Sequence, residues 1–157
     1  MRALISSSEL LEDNWVTLND SQAIDKSNNL VVSLGRLQQQ WDQLSDLSFG
    51  LGVLLEPTDA VEAVLPFLDR LSIIVLQFKV FSDGRAFSQA RLLRDRYDYC
   101  GAIRAVGDVL CDQLWFMRRS GISQFELAEG EDLELAFSAF SEISFTYQTE
   151  LKQPCVG

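Results

Sequence analysis

Histidine is absent from this sequence of 157 residues, and cysteine is scarce. Without histidine the chain lacks the commonest transition-metal ligand and the usual general base at neutral pH. The three cysteines are an odd number without a C-x-x-C spacing, which argues against a disulfide framework, an iron–sulfur cluster and a closed zinc site. We therefore expect no metal site, and we predict that Cys100, Cys111 and Cys155 are reduced thiols.

Long apolar runs and excess positive charge are also missing. No apolar run approaches the roughly 20 residues of a membrane helix, and no N-terminal stretch resembles a signal peptide. The sequence has 13 basic and 23 acidic residues, which gives a net charge of −10. This charge argues against nucleic acid or an anionic membrane as a partner. These absences predict a cytoplasmic protein that binds neither.

The sequence is rich in hydrophobic residues, at 47%, and they follow a regular pattern. Short apolar runs predict strands at 15–18, 30–34, 51–56, 72–78, 102–106 and 124–127, with a last candidate at 144–148. Helical spacing predicts helices at 34–44, from 57 to 68, from 85 to 97, from 108 to 120 and from 129 to 140. The predicted core comprises Ile73, Val75, Leu76, Phe78, Leu93, Ile103, Ala105, Val106, Leu110 and Leu114.

The order of these elements predicts an α/β fold. An acidic residue marks four strand-to-helix turns, at Glu56, Asp83, Asp108 and Glu129, with spacings of 27, 25 and 21 residues. Such repeated units indicate a mostly parallel sheet with right-handed crossovers. An open three-layer sheet and a half β/α barrel fit equally well. We expect one domain over 1–157, with β segments and a first helix in 1–50 and repeated βα units in 51–148.

Ligands of both architectures gather at the carboxyl ends of the strands. Asp83 and Gly84 form one such turn, and Arg85 follows in the first helical turn, where a cation opposes the helix dipole unless an anion lies nearby. Ser88 and Arg91 continue that helix face. The alternative is structural, because Asp and Gly are also ordinary cap and turn residues.

Positive charge is concentrated after this turn. Residues 84–119 hold seven arginines and four acids in a chain that is otherwise acidic. From them we predict an anion-binding or partner-binding cleft, formed by Asp83, Gly84, Arg85, Ser88, Arg91, Arg104, Gly107, Asp108 and Asp112. We expect Arg94 and Arg96 to be solvated or salt-bridged. Surface ion pairs such as Arg91 with Asp95 are the structural alternative for the arginines.

A second candidate surface follows in the next helix. Trp115 and Phe116 adjoin Arg118 and Arg119, and both aromatic side chains cannot face the stripe that packs on the sheet. Trp115, Arg118 and Arg119 therefore form a candidate partner surface, with a wide buried helix face as the alternative. The sequence has no dinucleotide fingerprint, Walker loop or nucleophile elbow, so no cofactor is recognisable and no catalytic residue is identified.

Several uncommon strings within residues 78–127 resemble a known bacterial family. They are F-x-D-G-R at 81–85, S-x-A-R-L-L-R at 88–94, R-A-V-G-D-V-L at 104–110, D-Q-L at 112–114 and M-R-R-x-G at 117–121. In this order they resemble the family of domain of unknown function 934, whose members are described as oxidoreductases involved in sulfite reduction.

The resemblance implies a role in assimilatory sulfite reduction. We expect an accessory protein that docks on the sulfite-reducing machinery, with the sulfite reductase haemoprotein as the candidate partner. The alternative is an oxidoreductase or redox carrier with an unrecognised cofactor site. Homo-oligomerisation is left open.

Overall fold

The computed structural model describes residues 2–24, 28–79 and 84–147. They form a seven-stranded sheet in the order β1-β7-β6-β5-β4-β3-β2. The strands are β1 Leu4–Ile5, β2 Trp15–Thr17, β3 Asn29–Ser33, β4 Leu51–Leu55, β5 Ile73–Phe78, β6 Ala102–Gly107 and β7 Gln124–Glu126. From β2 to β7 each strand pairs in parallel with the next in the chain, and β1 pairs antiparallel with β7. The α/β fold is therefore confirmed, although the sheet is not purely parallel.

Of the two predicted architectures, the chain adopts the half-barrel. Because the strand order never reverses, right-handed crossovers place every helix on the same side of the sheet. The larger core cluster joins strand residues such as Leu76 and Ile103 to helix residues such as Ala90 and Leu114. The opposite, inner face has its own small cluster of Val31, Ile73 and Val75, and among the residues whose burial is described no helix residue joins it.

The N-terminal segment shows how strongly the sheet curves. Leu10 and Leu11 pair with the free edge of β1, and Trp15 begins β2 at the other end of the sheet. A flat seven-stranded sheet would be about 29 Å wide, yet the chain from Leu11 to Trp15 reaches at most about 14 Å. The two edges must therefore approach each other. Residues 12–14, which we call the strap, bridge the open side of the half-barrel.

The helices depart from their predicted bounds. The helices are α1 Leu34–Gln39, α2 Trp41–Leu44, a 3-10 helix Val61–Arg70, α3 Arg85–Arg91 with a π-helical extension Leu92–Arg96, a 3-10 turn Cys111–Gln113, α4 Leu114–Arg119 and α5 Leu133–Tyr147. The predicted first helix is thus broken at Gln40. Pro66 lies inside the first 3-10 helix and cannot donate a backbone hydrogen bond there.

Two strand predictions need correction at the ends of the chain. The last candidate strand is wrong, because its residues up to Tyr147 continue α5; Gln148 lies outside the described residues. The short β1 was not predicted, because two residues are too few to show an alternating pattern.

The predicted core is largely confirmed. Eight of its ten residues are buried, whereas Val106 and Leu110 are only partly covered. Val109 is fully buried in the place expected for Leu110, because the helix that follows begins three residues later than predicted. None of the helices in the described ranges is long and apolar enough to cross a membrane.

Candidate functional site

The start of α3 lies just beyond the carboxyl end of β5, as the strand-turn-helix pattern predicts. Gly84 precedes the helix and is exposed, and Arg85, Ser88 and Arg91 are all exposed. Their spacing of three residues places the three side chains on one solvent face of the helix. The opposite face is buried, as predicted, at Ala86, Ala90 and Leu93, with Tyr97 partly covered. Asp83 lies outside the described residues.

Gly107 and Asp108 form the next strand end. Gly107 has φ +97°, and a Cβ atom there would lie 2.3 Å from the carbonyl oxygen of Phe78, so only glycine fits. The Asp108 amide donates to that same oxygen at 2.7 Å, and Arg2 donates to the Gly107 oxygen at 2.8 Å. Asp108 is exposed but caps no helix, because the helical turn begins only at Cys111.

The neighbouring cysteine is poorly suited to nucleophilic chemistry. Burial raises the pKa of the Cys111 thiol, and the negative charge of Glu131 raises it further. Asp112 is exposed beside it. Cys111 is a free thiol, but Cys100 is disulfide-bonded, so the prediction of a reduced thiol is wrong for Cys100. Cys155 lies outside the described residues.

Arg104 lies on the inner face of the half-barrel. It sits in β6 three residues before Gly107, about 10 Å back along the strand, and does not share the solvent face of α3. Only 5% of the residue is exposed. Its Nη1 donates to Asp13 Oδ1 at 3.1 Å, and its Nε donates to Gln124 Oε1 at 3.0 Å. The structure therefore separates Arg104 from the arginines at the start of α3.

Arg94 is half-buried and binds main-chain carbonyl oxygens, a role that the sequence does not predict. Its Nη1 donates to the carbonyl oxygens of Tyr99 and Gly101, both at 2.7 Å, and its Nε donates to that of Gly121 at 2.9 Å. Desolvation by burial lowers the pKa of the guanidinium, and the nearby Tyr99 opposes this shift. These carbonyls lie before the amino ends of β6 and β7, the face of such folds that serves stability. Arg96 is exposed, as expected.

The two aromatic residues of α4 differ in exposure, and the more exposed one is Phe116, which the predicted partner surface of Trp115, Arg118 and Arg119 does not include. Phe116 is 52% exposed, whereas Trp115 is half-buried. The two rings meet edge to face with centroids 4.8 Å apart, and the Arg119 guanidinium lies 5.3 Å from the Trp115 ring centroid. Arg118 is half-buried on the same helix. We call these four residues the α4 surface.

Sequence reasoning missed the groups that hold Arg104. Asp13 is 91 residues away in the chain and lies in an irregular segment, and Gln124 belongs to a strand of three residues. No local pattern marks either residue. A third missed residue, Gln89, is buried in α3, where its amide donates to the carbonyl oxygens of Glu56 and Asp59 at 2.9 Å each and ties the helix to the end of β4.

Comparison with known proteins gives one family. The model of the family described as "Bacterial protein of unknown function (DUF934)" matches residues 52–156, which include α3, β6 and α4 but not the strap. No curated protein matches the chain.

Proposed function

We propose that this chain, which belongs to the DUF934 family of bacterial proteins, is a cytoplasmic accessory protein of assimilatory sulfite reduction. In this proposal the protein docks on a component of the sulfite-reducing machinery, with the sulfite reductase haemoprotein as the first candidate. The pathway comes from the family resemblance, and the mode of action comes from the surface chemistry of the chain.

The observation that carries the docking proposal is the exposure of Phe116 within the α4 surface. A ring that is 52% exposed gains from burial against another protein. Aromatic and arginine side chains together are the residues that dominate binding energy at protein interfaces. Arg118 and Arg119 add positive charge to a chain whose net charge is −10, so the surface favours a partner that presents carboxylates.

The exposed face at the start of α3 is the second part of the proposal. Arg85 and Arg91 would contact a small oxyanion or a carboxylate of the partner, with Ser88 as a hydrogen-bond donor. Asp108, exposed at the neighbouring strand end, would limit how closely a bulky anion approaches.

The docking test compares two exposed phenylalanines. Binding of the purified haemoprotein is titrated by calorimetry against the wild type, Phe116→Ser and Phe49→Ser. Phe49 is 45% exposed outside the α4 surface and serves as the matched control. We expect micromolar binding that Phe116→Ser weakens by about thirtyfold, the effect of a residue contributing about 2 kcal/mol. Absence of binding at micromolar concentrations, or equal effects of both variants, would refute the proposed docking.

A second pair of variants tests the α3 face. Arg85→Ala should remove one charge-assisted contact, on the order of 1.5–3 kcal/mol of binding free energy. It should scarcely change the melting temperature, because a cation in the first helical turn opposes the dipole. Arg96→Ala, at an exposed position on the same helix, should change neither quantity. A large loss of stability with unchanged binding would make Arg85 a structural residue.

A further inference from the structure

The inner face of the half-barrel contains a buried cation with an exposed counter-ion. Arg104 has a side chain that is 6% exposed, whereas the Asp13 side chain that pairs with it is 54% exposed. A buried guanidinium needs hydrogen-bond acceptors, and an anion stabilises it best, because an unpaired charge in a low-dielectric setting is very costly. An exposed carboxylate gains little from such a pair, because water solvates it equally well. The ion pair therefore stabilises Arg104 far more than it stabilises Asp13.

The contacts of Arg104 leave part of its guanidinium available. Gln124 holds Nε and Asp13 contacts Nη1 through a single oxygen, so the pair is monodentate. Nη2 makes no hydrogen bond within the part of the chain that the structure describes. A guanidinium can bind two oxygens of a carboxylate or of a tetrahedral oxyanion at once, and such bidentate pairs are stronger than single contacts.

The location of Asp13 makes it replaceable. It lies in the strap, which crosses the open side of the half-barrel, so its carboxylate meets solvent directly above Arg104. The strap has a second attachment, because Asn29 donates to the carbonyl oxygen of Asn14 at 3.3 Å. Losing the contact between Asp13 and Arg104 would therefore not detach the strap completely.

We propose that Arg104 and Gln124 form an oxyanion-binding site on the inner face, which Asp13 of the strap occupies as an internal substitute for the ligand. The ligand class is a small anion with two oxygens available to one guanidinium, such as a carboxylate or a sulfur oxyanion. The carboxylate of Glu126, on the same face two residues beyond Gln124, would repel an anion at this site. The site nevertheless accepts a negative charge, because the Asp13 carboxylate already occupies it. The site uses no residue of the α4 surface or of the α3 face, so it does not depend on the docking proposal.

The site can be tested by removing the internal carboxylate. Asp13→Asn keeps an oxygen that can accept from Arg104 but removes the charge that competes with a ligand. Sulfate, sulfite and acetate are titrated at constant ionic strength against chloride, with the melting temperature as the readout, because a ligand that binds the folded state raises it. The three anions distinguish a sulfur oxyanion site from a carboxylate site.

Glu12→Gln is the matched control, because Glu12 is an exposed strap acid of the same charge. We expect Asp13→Asn to bind at least one of these anions about tenfold more tightly than the wild type, and Glu12→Gln to bind like the wild type. The double variant Asp13→Asn with Arg104→Gln should lose the response. If Asp13→Asn is unfolded in chloride, we expect at least one of sulfate, sulfite and acetate to restore its folding. Equal responses of all variants, or no response in Asp13→Asn, would overturn the proposal.

Discussion

Arg94 should be a major structural residue, although its position on an arginine-rich helix first indicated a surface role. The perturbation is Arg94→Met, which keeps much of the aliphatic stem and removes the guanidinium. Three carbonyl oxygens, those of Tyr99, Gly101 and Gly121, then lose their donor. They belong to two separate loops that precede β6 and β7, so the change also loosens the connection between these loops.

The magnitude follows from the hydrogen bonds and their cost. A bond from a charged donor contributes about 1.5–3 kcal/mol, so three bonds give roughly 4.5–9 kcal/mol. Desolvation of the guanidinium, which also lowers its pKa, offsets a large part of this gain. We expect Arg94→Met to lower the free energy of unfolding by about 3–4 kcal/mol, a large share of the 5–15 kcal/mol typical of a domain.

The assay is urea unfolding followed by tryptophan fluorescence and circular dichroism. Arg96→Met is the matched control, because Arg96 is exposed two residues away, and it should change the stability by no more than about 0.5 kcal/mol. A loss below about 1 kcal/mol in Arg94→Met, with an unchanged denaturant slope, would show that water replaces the guanidinium without penalty and would refute the reasoning.

Two further predictions concern the sheet. Val75→Asp should prevent cooperative folding, because it places an unpaired charge on the buried inner face of the central strand β5. The control variant Val16→Asp, at an exposed position on the edge strand β2, should still fold. Circular dichroism melts of both variants distinguish these outcomes. Gly107→Ala should lower the free energy of unfolding, measured in urea, by about 1–3 kcal/mol or more, because Gly107 has a positive φ and lies close to the Phe78 carbonyl oxygen. Gly84→Ala, where an added Cβ meets no atom of the described residues within 4 Å, should lower the free energy of unfolding by less than about 0.5 kcal/mol. Equal costs for the two glycines would contradict this assignment.

Much of the α/β fold follows from the sequence. The run from Ile73 to Phe78 is apolar at nearly every position because both faces of β5 are covered, and this pattern is typical of a parallel sheet. The small and apolar residues of α3, at Ala86, Ala90 and Leu93, recur with helical period because only one face of that helix packs on the sheet. Periodicity is a local property, so the sequence alone is sufficient to show it.

A candidate site can be predicted from the sequence when its residues lie close together along the chain, and not when the fold brings distant residues together. The α4 surface arises from adjacent residues, and helix geometry alone requires either Trp115 or Phe116 to turn away from the core. The roles of Arg94 and Arg104 depend on partners brought near by the fold. The carbonyls that bind Arg94 come from loops before two strands, and Asp13 reaches Arg104 from 91 residues away.

Only the tertiary structure distinguishes the half-barrel from an open sheet. Strand-turn-helix units of the same length build both, because each unit specifies only its own crossover, whereas strand order and curvature depend on how all units pack together. Curvature then brings the edges together, places the strap over the inner face and turns Arg104 from an expected strand-end residue into a buried one. By itself the sequence determined the units, the core periodicity and the aromatic–arginine composition of α4; the curvature decided which charges meet.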